Sequence, residues 1–147
     1  MADYIKALNE GFEAAKKADS ARKEINQVLE KFREDILAGS KGKLLIELKQ
    51  WEEELGTYER IMMGAAIGGS AGKKTYTALT ASNPMAEKKS YKELARWTQS
   101  KDGYPCSLIY GKQERQFEDR VALERGLADL LKDPNVGESL YLLINTK

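Results

Sequence analysis

Residues 3–37 contain no proline and a single glycine, Gly11. Apolar residues recur at Ile5, Leu8, Phe12 and Ala15, then at Ala18, Ile25, Leu29, Phe32 and Ile36. The steps are mostly three and four, the period of an α-helix, and the intervening Lys, Glu, Ala, Arg and Gln favour helix. A chain that opens on roughly 50 Å of uninterrupted helix, at ~1.5 Å per residue, must find something to cover one long stripe. The stripe thins over Ala14, Ala15, Ala18 and Ala21. That thinning predicts either a closely packed neighbour or a bend near Asp19-Ser20.

Gly-Ser-Lys-Gly at 39–42 ends this helix. Beyond it Leu44, Leu48, Trp51, Leu55, Tyr58 and Met62 step by four, three, four, three and four, a heptad seam. The seam predicts a second helix over 43–63, antiparallel to the first across a short connection. Lys43–Leu48 read alone would begin a strand, but the longer period favours helix. The second helix, at roughly 30 Å, is shorter than the first and leaves part of its stripe uncovered. Self-association or a partner protein is the expected use, through Ile5, Leu8, Phe12, Leu48, Trp51 and Leu55.

After residue 74 the pattern changes. Residues 75–80 alternate and are rich in β-formers, 82–90 form a polar loop with Pro84, and 91–98 alternate in a way that fits a strand better than a short helix. Residues 100–103 carry a hairpin signal; 104–111 and 113–117 read as its continuation. Asp119 caps a helix bearing Leu123, Leu127, Leu130 and Leu131, and the apolar run 138–144 reads as a final, central strand. The expected fold is α+β. A coiled-coil-like helical hairpin (1–63) and a Gly-rich connector (64–74) lead to a small, mainly antiparallel sheet of three or four strands on one helix (75–147).

Several chemistries are closed to the chain. It has no histidine and one cysteine, Cys106, so a Ser-His-Asp triad, a Cys-His pair and an all-cysteine zinc site within one chain are excluded. Gly68-Gly69-Ser70-Ala71-Gly72 fits the G-x-S-x-G pattern, but the periodicity predicts a helix before it and a strand after, the reverse of a nucleophile elbow, and no histidine is present to serve as its base. Gly72-Lys73-Lys74-Thr75 lacks the leading glycine of a phosphate loop, because position 67 is Ile67. Ser70–Lys73 fits S-x-x-K, as does Ser20–Lys23 inside the first helix. Gly64, Gly68 and Gly72 leave open either a flexible connector or a helix face made for close approach. No catalytic residue, metal or cofactor is expected.

Net charge is +1, but it is uneven. Residues 64–104 carry seven positive and three negative side chains, and 43–63 carry three and five. Lys73, Lys74, Lys88, Lys89, Lys92 and Arg96, interleaved with Tyr76, Tyr91, Trp97 and Tyr104, form the alternative candidate site, for anions or nucleic acid. The longest weakly polar run, 61–72, falls short of the ~20 residues a membrane helix needs. The sequence therefore favours a soluble, cytoplasmic, oligomeric interaction protein (adaptor, inhibitor or immunity-type binder), with a nucleic-acid-binding accessory protein as the alternative and a nucleotide-binding or hydrolytic enzyme behind both.

Overall fold

A computed structural model describes residues 2–54 and 73–147. The order is α1 (Tyr4–Gly39), β1 (Leu45–Glu54), β2 (Lys73–Ser82), β3 (Tyr91–Ser100), β4 (Gly103–Tyr110), β5 (Gln113–Phe117), α2 (Arg120–Lys132) and α3 (Pro134–Ile144). The five strands form one antiparallel sheet in chain order. Ile25 and Val28 of α1, Leu123, Leu127 and Leu130 of α2, and Val136, Leu140 and Leu143 of α3 share one core with Ile46, Leu79, Ala95, Trp97, Leu108 and Phe117 of the sheet. The three helices therefore lie on one face of it.

α1 is a single helix of 36 residues. Asp3 caps it by accepting from the Lys6 amide at 3.0 Å. At the far end the Ser40 and Gly42 amides donate to the Ile36 and Leu37 carbonyls, and Lys41 and Gly42 take positive φ, a turn that closes the helix and reverses the chain.

The expected second helix is not formed over 45–54, which is β1; residues 55–63 lie outside the described residues, as does most of the Gly-rich stretch. The heptad seam misleads because a step of four fits both periods. Leu44, Ile46 and Leu48 share a face at period two. Trp51, an odd step on, emerges on the other face. What decides is a partner: β1 pairs along its whole length with β2, from Leu45 opposite Ser82 to Glu54 opposite Lys73, and tertiary pairing overrides a local period. The helical hairpin therefore gives way to one long helix and a five-stranded sheet.

The apolar run 138–144 is likewise helix, not strand. Asp133 ends α2 and caps α3, accepting from the Asn135 and Val136 amides, both at 3.1 Å. Pro134 at the first turn suits a helix start. Val136, Leu140 and Leu143 go inward at steps of four and three, while Tyr141 and Leu142 remain exposed. The register shifts twice. Between β2 and β3, Leu79 pairs with Ala95 and Thr80 with Glu93, so Leu94 is the extra residue, and Leu94 and Ala95 are buried in succession; between β3 and β4, Gln99 pairs with Cys106 and Ser100 with Gly103.

Asp119 caps α2 through the Ala122 amide at 2.8 Å. Asp119→Ala is expected to lower unfolding free energy by about 1 kcal/mol, read as a shift of the urea midpoint at constant slope. Asp119→Ser, which keeps an acceptor oxygen, is expected to recover most of that loss.

Candidate functional site

α1 is longer than the body it packs on. Every residue from Tyr4 to Lys17 is exposed, and Ala18 is the first buried one. Ala14 and Lys17, though exposed, still border a groove with Asp102, Tyr104 and Glu118, so residues 4–13 extend beyond the described body, about 15 Å at ~1.5 Å per residue. The point of departure is pinned. Gly103, the first residue of β4, lies against Ala21, Arg22 donates to the Lys101 carbonyl, and the Tyr104 hydroxyl donates to Glu24 at 2.7 Å.

The overhang carries large apolar side chains that remain exposed among the described residues. Relative exposure is 80% for Tyr4, 74% for Ile5, 56% for Leu8 and 55% for Phe12. These residues do not simply extend the core-facing line. At ~100° per residue, Ile5, Leu8, Phe12 and Ala15 point on average roughly 115° away from Ala18, Ile25, Phe32 and Ile36. Within the body their direction is continued by Asp19, Asn26, Glu30 and Arg33, all exposed. α1 is thus amphipathic twice. One stripe packs on the sheet, and a second, confined to the overhang, faces outward. Lys6, Glu10, Glu13 and Lys17 occupy the far side of the overhang from the second stripe.

The other expected binding residues separate. Leu48 lies on the helix-covered face, 40% exposed at the rim, beside Leu29 and Phe32 of α1. Trp51 lies on the opposite face, and Leu55 is outside the described residues. Neither Leu48 nor Trp51 joins Ile5, Leu8 and Phe12.

The face of the sheet opposite the helices holds a lattice of paired side chains. Trp51 Nε1 donates to Thr80 Oγ1 at 2.9 Å. Arg96 bonds Glu53 at 3.2 Å and stands 4.0 Å over the Tyr76 ring. The Tyr76 hydroxyl donates to Glu93, and Lys49 stands 3.5 Å over Tyr91. Burial, then Glu93, raises the Tyr76 pKa, while the Glu53 hydrogen bond raises that of Arg96. The Tyr76 and Tyr91 ring faces already carry a cation from the same sheet, so this surface differs from an open platform for stacking bases.

The basic candidates are dispersed. Lys73 and Lys74 begin β2, whereas Lys88 and Lys89 lie in the loop beyond its end and Lys92 at the start of β3. A ten-residue strand spans roughly 30 Å, so the two groups sit at opposite ends of the sheet. Arg96 lies between them and is paired with Glu53.

Cys106 and Tyr104 neighbour the α1 anchor. Burial pushes the Cys106 thiol up to about 11. Burial, then the Glu24 hydrogen bond, raises Tyr104. Both groups are neutral when protonated, and both fold with pKa values above their unfolded ones. Their contribution is therefore complete below the ordinary thiol value, near ~8.5, and is lost as pH rises through the folded values. The urea midpoint should hold through neutral pH and fall from about pH 9. Cys106→Ala should remove the earliest part of that fall, and an unchanged profile in that variant would contradict the assignment.

Among the described residues no helix is long and apolar enough to cross a membrane. No protein family matches the chain, and neither a curated protein nor a solved structure matches it.

Proposed function

We propose that this chain is a non-enzymatic protein-interaction module whose recognition element is the overhanging N-terminal half of α1. The observation that carries the reading is the exposure of Tyr4, Ile5, Leu8 and Phe12 on one side of a helix that has left its own fold. Exposed apolar residues scattered singly are ordinary, but four large ones aligned on a projecting helix offer the i, i+3, i+7 anchors by which amphipathic helices enter grooves or pair with other helices. The five-stranded body acts as the rigid mount that sets the direction of the helix. The absence of histidine and the self-paired sheet face support a binding role over a catalytic one. The dispersal of the basic side chains gives no reason to prefer nucleic acid.

The test compares two immobilised baits, the full-length protein and its Ile5→Ser/Leu8→Ser/Phe12→Ser variant. All three positions are exposed, so the variant should unfold at the same urea concentration as the parent. Proteins retained by the parent, or additional copies of the parent itself, should be lost from the variant. Equal retention by both baits would sink the proposal.

A further inference from the structure

Resting on the reading of α1 as the recognition element, we infer that its partner is a second copy of this chain, paired antiparallel through residues 4–17. Three properties of the overhang lead there.

The first is register. Written as a heptad, Ile5 and Phe12 are a positions and Leu8 and Ala15 are d positions. Antiparallel helices face a against d. The arrangement that does so over the overhang sets Leu8 against Phe12 of the other copy and Ile5 against Ala15, each layer occurring twice about a two-fold axis near Glu10. Large residues then meet smaller ones in the outer layers. The paired length matches the 14 exposed residues of each copy, and pairing ends where each body begins. Gly11 flanks the seam with open space around its Cα. That admits close approach at a position where glycine otherwise weakens a helix.

The second is charge. A parallel pair would continue the seam into Asp19, Asn26 and Arg33 and set each against its own copy. The antiparallel pair stops at Ala15, keeps Lys6, Glu10, Glu13 and Lys17 on the far side, and opposes the two helix dipoles.

The third is area. With aromatic side chains contributing ~150–250 Å² each, Tyr4, Ile5, Leu8 and Phe12 offer about 500 Å² per copy. Two copies bury about 1,000 Å², just below the ~1,200 Å² at which standard interfaces begin. The dimer should therefore be reversible, forming at high micromolar concentration and dissociating on dilution.

Light scattering over a concentration series reads the mass. The parent should approach twice the monomer mass, and Leu8→Lys and the triple serine variant should remain monomeric. Orientation is read by oxidising an equal mixture of differently tagged Leu8→Cys and Phe12→Cys proteins in a Cys106→Ala background. The antiparallel pair predicts the mixed disulfide as the main product. Predominant Leu8→Cys or Phe12→Cys homodimers would establish parallel pairing and overturn the inference. A parent that stays monomeric while bait retention still depends on the stripe overturns self-pairing and leaves the recognition reading standing. Mass and retention both indifferent to the triple variant overturn the recognition reading itself.

Discussion

Phe117→Ala is expected to lower unfolding free energy by about 4 kcal/mol. Phe117 is the last residue of β5, 2% exposed, and its ring lies directly on the backbone of α2. A Cβ built on Gly126 would fall 2.2 Å from two atoms of that ring. The missing side chain at position 126 is what allows strand and helix to close on each other. Gly126→Ala should accordingly be destabilising as well. Overpacking costs ~1–3 kcal/mol, a 2.2 Å overlap falls at the upper end of that range, and the gain in helix propensity returns about 1 kcal/mol at most, so a net loss of about 2 kcal/mol follows. The two sites share one contact and should not add. In the double variant the alanine methyl at 126 occupies part of the space the ring vacated, and the combined loss should be smaller than the sum. Urea midpoints of the two single variants and the double variant decide this. A neutral or stabilising Gly126→Ala would show that the close approach is not needed.

Gly103→Ala acts at the same end of the sheet, since β4 starts at Gly103 and its Cys106 pairs with Phe117; here α1 leaves the body. Two penalties coincide there. Gly103 has φ +98°, a region side-chain-bearing residues rarely adopt, and its Cβ would stand 2.7 Å from the Ala21 Cβ and 3.2 Å from α1 backbone atoms. Strain of ~1–3 kcal/mol and overpacking of similar size suggest a loss of about 3 kcal/mol. Ala21→Gly should relieve the overlap between side chains but not the backbone strain, so the double variant should recover only part of the loss. A loss under about 1 kcal/mol, within reach of an ordinary surface change, would mean that α1 is not anchored at this turn.

Much of the architecture is legible in the sequence wherever one local rule acts alone. The run 3–37 is helix because neither proline nor strand alternation competes with its period. Residues 75–80, 91–98, 104–110 and 113–117 are strands, and Asp119 starts a helix as its side chain suggests. The failures fall where two rules overlap. Leu44 and Leu48 satisfy helix and strand alike, and the ten-residue pairing with β2 that decides between them is non-local. The run 138–144 is apolar enough for a buried strand. The Asp133-Pro134 pair before it is a helix start as much as a stop, and Tyr141 and Leu142 supply the exposed side that a central strand would not have.

The candidate site is only partly legible for the same reason. Ile5, Leu8 and Phe12 can be placed on one helix face from spacing alone, but the unequal pair of helices that suggested an uncovered stripe does not form, since 45–54 is β1. That this stripe points away from the core-facing line requires knowing that α1 first packs at Ala18. The assignment of Leu48 and Trp51 to the same surface rested on a helix that is a strand, and the strand separates them. The Arg96–Glu53–Tyr76 lattice joins residues 20 to 43 positions apart through sheet register, so no local signal marks it. The basic segment reads as continuous because its lysines are near in sequence, whereas the length of β2 separates Lys73 and Lys74 from Lys88, Lys89 and Lys92 at the opposite end of the sheet.

The central claim is that residues 4–17 are a recognition surface waiting to be covered. Amide hydrogen exchange along α1 tests it most directly, because a helical segment without tertiary packing is only marginally stable. At low protein concentration the amides of 18–39 should be protected and those of 4–17 should exchange quickly. Raising the concentration of the parent, or adding a partner it retains, should slow exchange across 4–17 selectively and leave the Ile5→Ser/Leu8→Ser/Phe12→Ser variant unchanged. Exchange across 4–17 that is the same at every concentration, with and without a retained protein, in parent and variant alike would contradict the account.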